Sequence, residues 1–177
     1  MNYIKWSELL VEWPRLAANA FYQEVDSTMQ DAIVTKIEEK VNVFSYHAIK
    51  TFHAQYPEQD MVFSIYAKAG ERKMLGLSTM PPNAHSFDVS ALFNLEDGSL
   101  AEGSGIITDA LNGWWRCSVT AKVTDSDMFG VSVAIVTDDG QVDYEGEQGK
   151  GLYLTKAQLE KGTVAGVYEE TVGFPRS

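Results

Sequence analysis

From Met61 onward the chain alternates apolar and polar positions with a period of two. In Ser86–Asn94, Phe87, Val89, Ala91 and Phe93 fall on one face, while Asp88, Ser90 and Asn94 fall on the other. That is the pattern of a half-buried strand, with Leu92 the one apolar residue on the outer side. Trp114–Val123 repeats it: Trp115, Cys117, Val119, Ala121 and Val123 share a face opposite Trp114, Arg116, Ser118, Thr120 and Lys122. Further short runs at Met61–Lys68, Met74–Ser78, Ile106–Leu111, Val131–Val136, Val142–Tyr144 and Gly151–Leu154 read as strands. Between them stand turn formers: Ala69-Gly70-Glu71-Arg72, the Pro81-Pro82 loop, Glu96-Asp97-Gly98-Ser99, Asn112-Gly113 and Asp138-Asp139-Gly140. Asn112-Gly113 is the strongest of these, because both residues tolerate positive φ. Short strands at this spacing predict an all-β fold, a two-sheet antiparallel β-sandwich or jelly roll. Its core should include Phe63, Ile65, Phe87, Val89, Phe93, Trp115, Val119, Val133 and Ile135.

The first 60 residues are less regular. Ser27-x-x-Gln30 resembles a capping box that would open a helix over residues 29–41. Against it, Ile33-Val34-Thr35 and the stretch from Val41 to Phe52 are β-branched and aromatic, which suits strands, and strands are the preferred reading. Residues 1–26 show no clean period and are read as an N-terminal arm, with the sandwich domain spanning 27–177. The arm carries Trp6, Leu9, Leu10, Val11, Trp13, Phe21 and Tyr22, too much apolar surface to leave wet. It is expected to dock on the sandwich or on a neighbour, with Trp13 and Phe21 as anchors. Deleting residues 1–25 should then leave a folded sandwich that no longer assembles.

Composition narrows the chemistry. The 177 residues hold 25 acids against 14 bases, a net charge of −11, with no basic stripe. Nucleic-acid and anionic-membrane partners are therefore not expected. No signal peptide opens the chain, and no run approaches the ~18 apolar residues of a membrane span. The lone Cys117 offers no disulfide and no multi-cysteine metal site, and fits a buried small hydrophobe. His47 and His53 would share a strand face but lie about 20 Å apart at ~3.3 Å per residue, too far for one metal. Gly103-Ser104-Gly105 is no nucleophile elbow, and the glycines of 146–151 lack phosphate-loop spacing. Asp138, Asp139, Asp143 and Glu145 are better read as turn chemistry than as a calcium loop. No catalytic residue, metal or cofactor is expected, and the chain reads as a non-enzyme.

The adjacent tryptophans carry most of the functional interest. They must point to opposite faces of one strand. The alternation places Trp115 in the core and Trp114 outside, beside Arg116. Trp114 is then a sugar-stacking platform or interface anchor, unless the N-terminal arm covers it. Trp115→Ala should be severely destabilising and Trp114→Ala much less so.

Several segments also resemble a carbohydrate-binding-module-like jelly-roll domain of tailed-bacteriophage structural proteins. Phe63-Ser64-Ile65-Tyr66-Ala67-Lys68-Ala69-Gly70-Glu71 is similar to that module's "FSVYVKAGE". Ala91-Leu92-Phe93-Asn94-Leu95 with Gly98 is similar to "A-x-F-x-L-x-x-G", and Leu111 to Thr120 (LNGWWRCSVT) to "NGWYRVSVT". Tyr144-Glu145-Gly146, Gly151 to Leu154 and Ala157 to Gly162 follow "Y-x-G…GIYLWGAQLEEG", except that Thr155-Lys156 replaces its Trp-Gly. Asn2 with Trp6-Ser7 resembles the module's opening, and Tyr168 with Thr171 its close, so the likeness spans about 41–171 plus the first residues. The segment before Val41 otherwise departs from the usual pattern.

The resemblance implies a virion structural protein: capsid decoration or cement, or a head fibre. The alternative is a carbohydrate-binding receptor module of a tail fibre. Its partners would be other virion proteins and copies of itself in a homo-oligomer, with a surface glycan as a further partner. The candidate binding residues are Trp114, Arg116, Trp13 and Phe21.

Overall fold

A computed structural model describes residues 1–4, 7–53, 59–80, 89–123 and 129–171. Thirteen strands follow in order: β1 (Arg15–Leu16), β2 (Ala18–Asp26), β3 (Ala32–Glu39), β4 (Phe44–His53), β5 (Gln59–Ala69), β6 (Met74–Met80) and β7 (Ala91–Asn94). The remainder are β8 (Ser99–Gly103), β9 (Ile106–Asp109), β10 (Trp114–Val123), β11 (Phe129–Val136), β12 (Asp143–Glu145) and β13 (Gly151–Lys161). They build two antiparallel sheets packed face to face. One runs β1-β4-β11-β6-β7-β8 with β12 paired onto β4; the other runs β2-β3-β13-β5-β10-β9. Among the described residues no helix is long and apolar enough to cross a membrane.

Period-two alternation makes the core. Where β10 pairs with β5, Cys117 lies opposite Ile65 and Val119 opposite Phe63, and all four are buried between the sheets. The facing sheet contributes Ile49, Val133 and Leu77 in one cross-strand row. Phe93 and Ile135 join them as expected, while Trp115 packs on this core from a half-buried position. Val89 instead covers small clusters on the outside of the seven-stranded sheet, and Phe87 lies outside the described residues. Cys117 is fully buried, and that burial pushes its thiol well above the ordinary range.

The expected Ser27–Gln30 capping box does not open a helix: Ser27–Met29 is a single 3₁₀ turn whose N-cap is Asp26, its side chain accepting from Thr28 N–H. Gln30 and Asp31 then both take positive φ, 58° and 59°, which stops a helix from propagating. The preferred strand follows as β3, with Val34 and Thr35 buried on opposite faces and alternation from Thr35 to Glu39. Asn112 and Gly113 also take positive φ and turn β9 into β10.

The N-terminal reading is corrected by the structure. Ile4, Leu10 and Trp13 sit in the main core, Trp13 only 3% exposed. Residues 15–16 and 18–26 are sheet strands, and β2 pairs with β3 along most of its length. A boundary at residue 26 therefore falls at the end of a strand within the sandwich. The missed signal is local: this segment crosses from the core to an edge strand, so no single period runs through it. The start is also sewn to the end of the chain. The Asn2 amide donates to Ala157 O and Glu169 O and accepts from Ile4 N and Leu159 N. Ser7 bonds both Tyr168 and Thr171.

Candidate functional site

Cross-strand neighbours share a face. The register therefore lines up Phe21, Lys36, Tyr153, Lys68 and Trp114 across five strands of the six-stranded sheet, on its outer face. Two residues further along, Thr108, Arg116, Tyr66 and Thr155 form a second outer row. Alternation alone puts these wide polar and aromatic groups outside, because Ile65, Ala67, Trp115 and Cys117 between them face inward.

Part of this face is roofed. Asp26 at the end of β2, the turn at residues 27–29 and the start of β3 cover this end of β10, so Trp114 packs with Met29, Ala32 and Val34 and is only 1% exposed. Its indole Nε1 donates to Asp26 Oδ2 at 3.1 Å. Trp114 is therefore no open platform. The inward direction of Trp115 stands, with Nε1 donating to Leu95 O at 2.9 Å, but of the two tryptophans Trp114 is the more deeply buried. Hydrogen bonds from the Thr28 hydroxyl, chiefly, and from Thr28 N–H and Trp114 hold the Asp26 carboxyl below the usual aspartate range.

Two clefts flank this roof. The larger, of about 660 Å³, is lined by Gln23, Val25, Asp26, Ser27, Val34, Lys68, Trp114 and Tyr153. Tyr153 supplies a half-buried ring, while Gln23, Asp26, Ser27 and Lys68 supply donors and acceptors. Lys36 stands 5.7 Å over the Tyr153 ring and is tied to Glu38 and Glu71 at 3.0 Å each. Burial lowers its ammonium pKa, but these two carboxylates outweigh that and hold it above the ordinary value. The smaller cleft, about 410 Å³, lies on the other side of the turn, with Gln30, Tyr66, Asp109, Arg116 and Lys156 among its walls.

Of the expected site residues, Trp114, Arg116 and Phe21 come together on this one face. Phe21 is 45% exposed on β2, just outside the larger cleft. Trp13 is not among them, because it belongs to the core. Sequence reasoning missed Gln23, Asp26, Lys68, Tyr153, Tyr66 and Lys156. Tyr66 and Lys68 were legible, since they alternate with the inward Ile65 and Ala67. Asp26 and Gln23 were not, since only the fold carries β2 next to the end of β10.

Elsewhere the polar clusters are structural. His47 is buried, with Nδ1 2.5 Å from Ala17 O and Nε2 3.0 Å from Tyr144 O, which ties β4 to its neighbours. Glu39 is buried under Arg72, which donates to it from Nε at 2.6 Å and Nη2 at 3.3 Å. Tyr144 and Glu147 N–H complete its shell. Asp139 accepts from Thr137 Oγ1 within its own turn. Among the described residues no three His, Cys, Asp or Glu side chains converge as metal ligands would.

No family model matches the chain, and no curated protein sequence matches it. Solved structures do. The TmCBM61 domain in complex with β-1,4-galactotriose superposes with a TM-score of 0.51 at 7% identity, over 92% of this chain and 99% of that one. Part of the GH115 4-O-methyl-α-glucuronidase BtGH115A matches at 0.52 and 11% identity, over 92% of this chain and 18% of that one. A carbohydrate-binding module from Cellvibrio mixtus lichenase 5A, in complex with cellotriose, gives 0.49 at 8% identity, covering 92% and 99%. At these identities the likeness is one of fold: the chain is an antiparallel jelly-roll sandwich of the kind seen in carbohydrate-binding modules.

Proposed function

We propose that this protein is a non-catalytic glycan-recognition domain that binds saccharide in the larger cleft on the outer face of the six-stranded sheet. The observation that carries this is the makeup of the cleft. It sets one aromatic ring, Tyr153, among Gln23, Asp26, Ser27 and Lys68 in about 660 Å³. A sugar has an apolar C–H face and a rim of hydroxyls. An aromatic wall beside a few convergent polar groups answers both, and the volume is that of an ordinary small-ligand pocket. The TmCBM61 structure, which holds a galactotriose, adds support at the level of fold.

For its biological setting we propose the virion of a tailed bacteriophage, as a fibre or decoration component. That rests on the sequence resemblance, above all Leu111 to Thr120 and the paired openings and closings of the chain. In the structure those terminal motifs meet, with Ser7 bonded to both Tyr168 and Thr171.

The test is calorimetric titration of the purified chain against a panel of neutral and acidic oligosaccharides. At least one should bind with measurable heat, and Tyr153→Ala and Lys68→Ala should each weaken it tenfold or more while leaving the melting temperature within a few degrees. A panel with no binder, or variants that bind like the parent, would overturn the glycan reading. Copy number per virion tests the setting: absence from purified particles would remove it.

A further inference from the structure

The smaller cleft has an unusual charge arrangement for a chain of net charge −11. Arg116 lies with its guanidinium carbon 5.4 Å over the Tyr66 ring, and Lys156 Nζ stands 5.8 Å over the same ring. Tyr66, on the strand between β10 and β13, thus has a cation from each neighbouring strand at its ring, and all three side chains line the one cleft. Among the described residues neither forms an ion pair with a carboxylate. The protein partner of Arg116 is Ser64 Oγ, met by Nη2 at 3.1 Å, and its buried Nε–H has none. Lys156 Nζ donates to the neutral Gln30 Oε1 at 3.1 Å and stands 5.3 Å over the Tyr168 ring, neither of which supplies a formal counter-charge.

Both groups carry a cost that the isolated protein does not recover. A buried donor without an acceptor is unfavourable, and a cation screened from water without a counter-charge is more so. Lys156 is 7% exposed, and that burial lowers its ammonium pKa; Glu8, the carboxylate that acts on it, is already engaged by Ile33 N–H and Tyr168 OH. Asp109, the acid in the cleft wall, accepts from Leu111 N–H at 2.8 Å. Lys156 also sits in the β13 bulge at a φ of 52°, the left-handed region that glycine occupies most readily. The bulge breaks the register between Thr155 and Gln158, and Lys156 within it reaches the same ring as Arg116.

We propose that Arg116 and Lys156 form an anion subsite that takes the carboxylate or sulfate of an acidic saccharide. This rests on the glycan reading for its ligand class and adds a charge specificity to it. The planar guanidinium, one wall of the cleft, offers its remaining N–H donors to an oxyanion, and the ammonium supplies a second charge-assisted bond. Trp114 and Arg116 are two residues apart on one strand, about 7 Å, so the subsite lies within one sugar unit of the roof between the clefts.

The experiment compares three matched oligosaccharides by titration: a uronate, its carboxyl-reduced counterpart and a sulfated analogue. An anionic member should bind at least tenfold tighter than the neutral one at low ionic strength, and the margin should shrink with added salt. Whichever anion is preferred names the source of the charge. Arg116→Gln and Lys156→Gln should each cut the acidic-to-neutral affinity ratio at least fivefold, and Arg116→Lys should keep less than half of it.

Equal affinity for all three would overturn the subsite while leaving the glycan reading intact. So would a ratio unchanged in the variants, or acidic and neutral affinities that fall together. If no saccharide binds, the glycan reading fails, and the Arg116 Nε–H resonance titrated with inorganic sulfate then decides the subsite alone. A saturable shift that Lys156→Gln abolishes supports the anion site, and a flat titration overturns it.

Discussion

The two outer faces of this sandwich are built from opposite side-chain sizes. On the seven-stranded sheet the register sets Leu16, Ala48, Ala134, Gly76 and Leu92 in one row. Ala48 and Ala134 are buried there beneath Tyr46 and Val89. A Cβ on Gly76 would come within 3.2 Å of Val136 and 3.6 Å of Val89, so this face is closed by close packing. The six-stranded sheet instead presents Lys36, Tyr153, Lys68, Tyr66 and Arg116, and Asp26 with the turn that follows it roofs only part of that face. Small residues let a cover settle flush against a sheet, whereas wide polar and aromatic ones hold it off and leave clefts at its edges. That difference is why the candidate binding face is the six-stranded one.

The most severe way to break the contrast is to remove the roof. Deleting residues 1–26 takes away an edge strand from each sheet (β1 and β2), three core side chains (Ile4, Leu10, Trp13) and the clasp to the chain's end. The expected outcome is loss of cooperative folding, seen as the absence of a denaturant transition by circular dichroism. This replaces the expectation that such a truncation stays folded. If the truncated chain unfolded with a normal midpoint, the first 26 residues would be no part of the core.

Trp114→Ala comes next, at about 3–5 kcal/mol, the usual range for emptying a large buried aromatic site. Trp115→Ala should cost no more than that, since the side chain is half-buried. Denaturant midpoints in the opposite order would mean that the roof contributes little. On the closed face, Gly76→Val should cost roughly 1–3 kcal/mol by overpacking, without touching saccharide binding.

Asp26→Ala should cost about 1 kcal/mol, as N-cap losses do, and should also open the roof's edge. The carboxyl's folded pKa lies below its ordinary value of 3.8, so its contribution is present above that value. It disappears as pH falls through the lower folded value. The parent should therefore lose more stability than the variant on acidification below about pH 4, and parallel acid-unfolding curves would contradict this. Phe21→Ser, on the exposed edge strand, should change stability by no more than ~0.5 kcal/mol. Light scattering on the same variant tests whether this ring joins copies of the chain.

Most strand positions from residue 32 onward, the turn at Asn112-Gly113 and the inward direction of Phe63, Ile65, Val119 and Trp115 were legible in the sequence, because a period of two is a local property of the backbone. Residues 29–41 could be read two ways for the same reason: a capping box and β-branched side chains are both local signals, and the successive positive φ values at Gln30 and Asp31 settle between them. What local pattern does not contain is the cover over an outward face. Alternation shows that Trp114 points away from the inter-sheet core, but its burial depends on Asp26, 88 residues earlier. The arm itself looked aperiodic because its residues serve in turn the core, an edge strand and a roof. Residue order alone was enough to predict a two-sheet β-sandwich and the face taken by most side chains of β5 and β10. Only the tertiary structure decided which outward side chains stay open, because that depends on which distant segments the chain brings to rest on them.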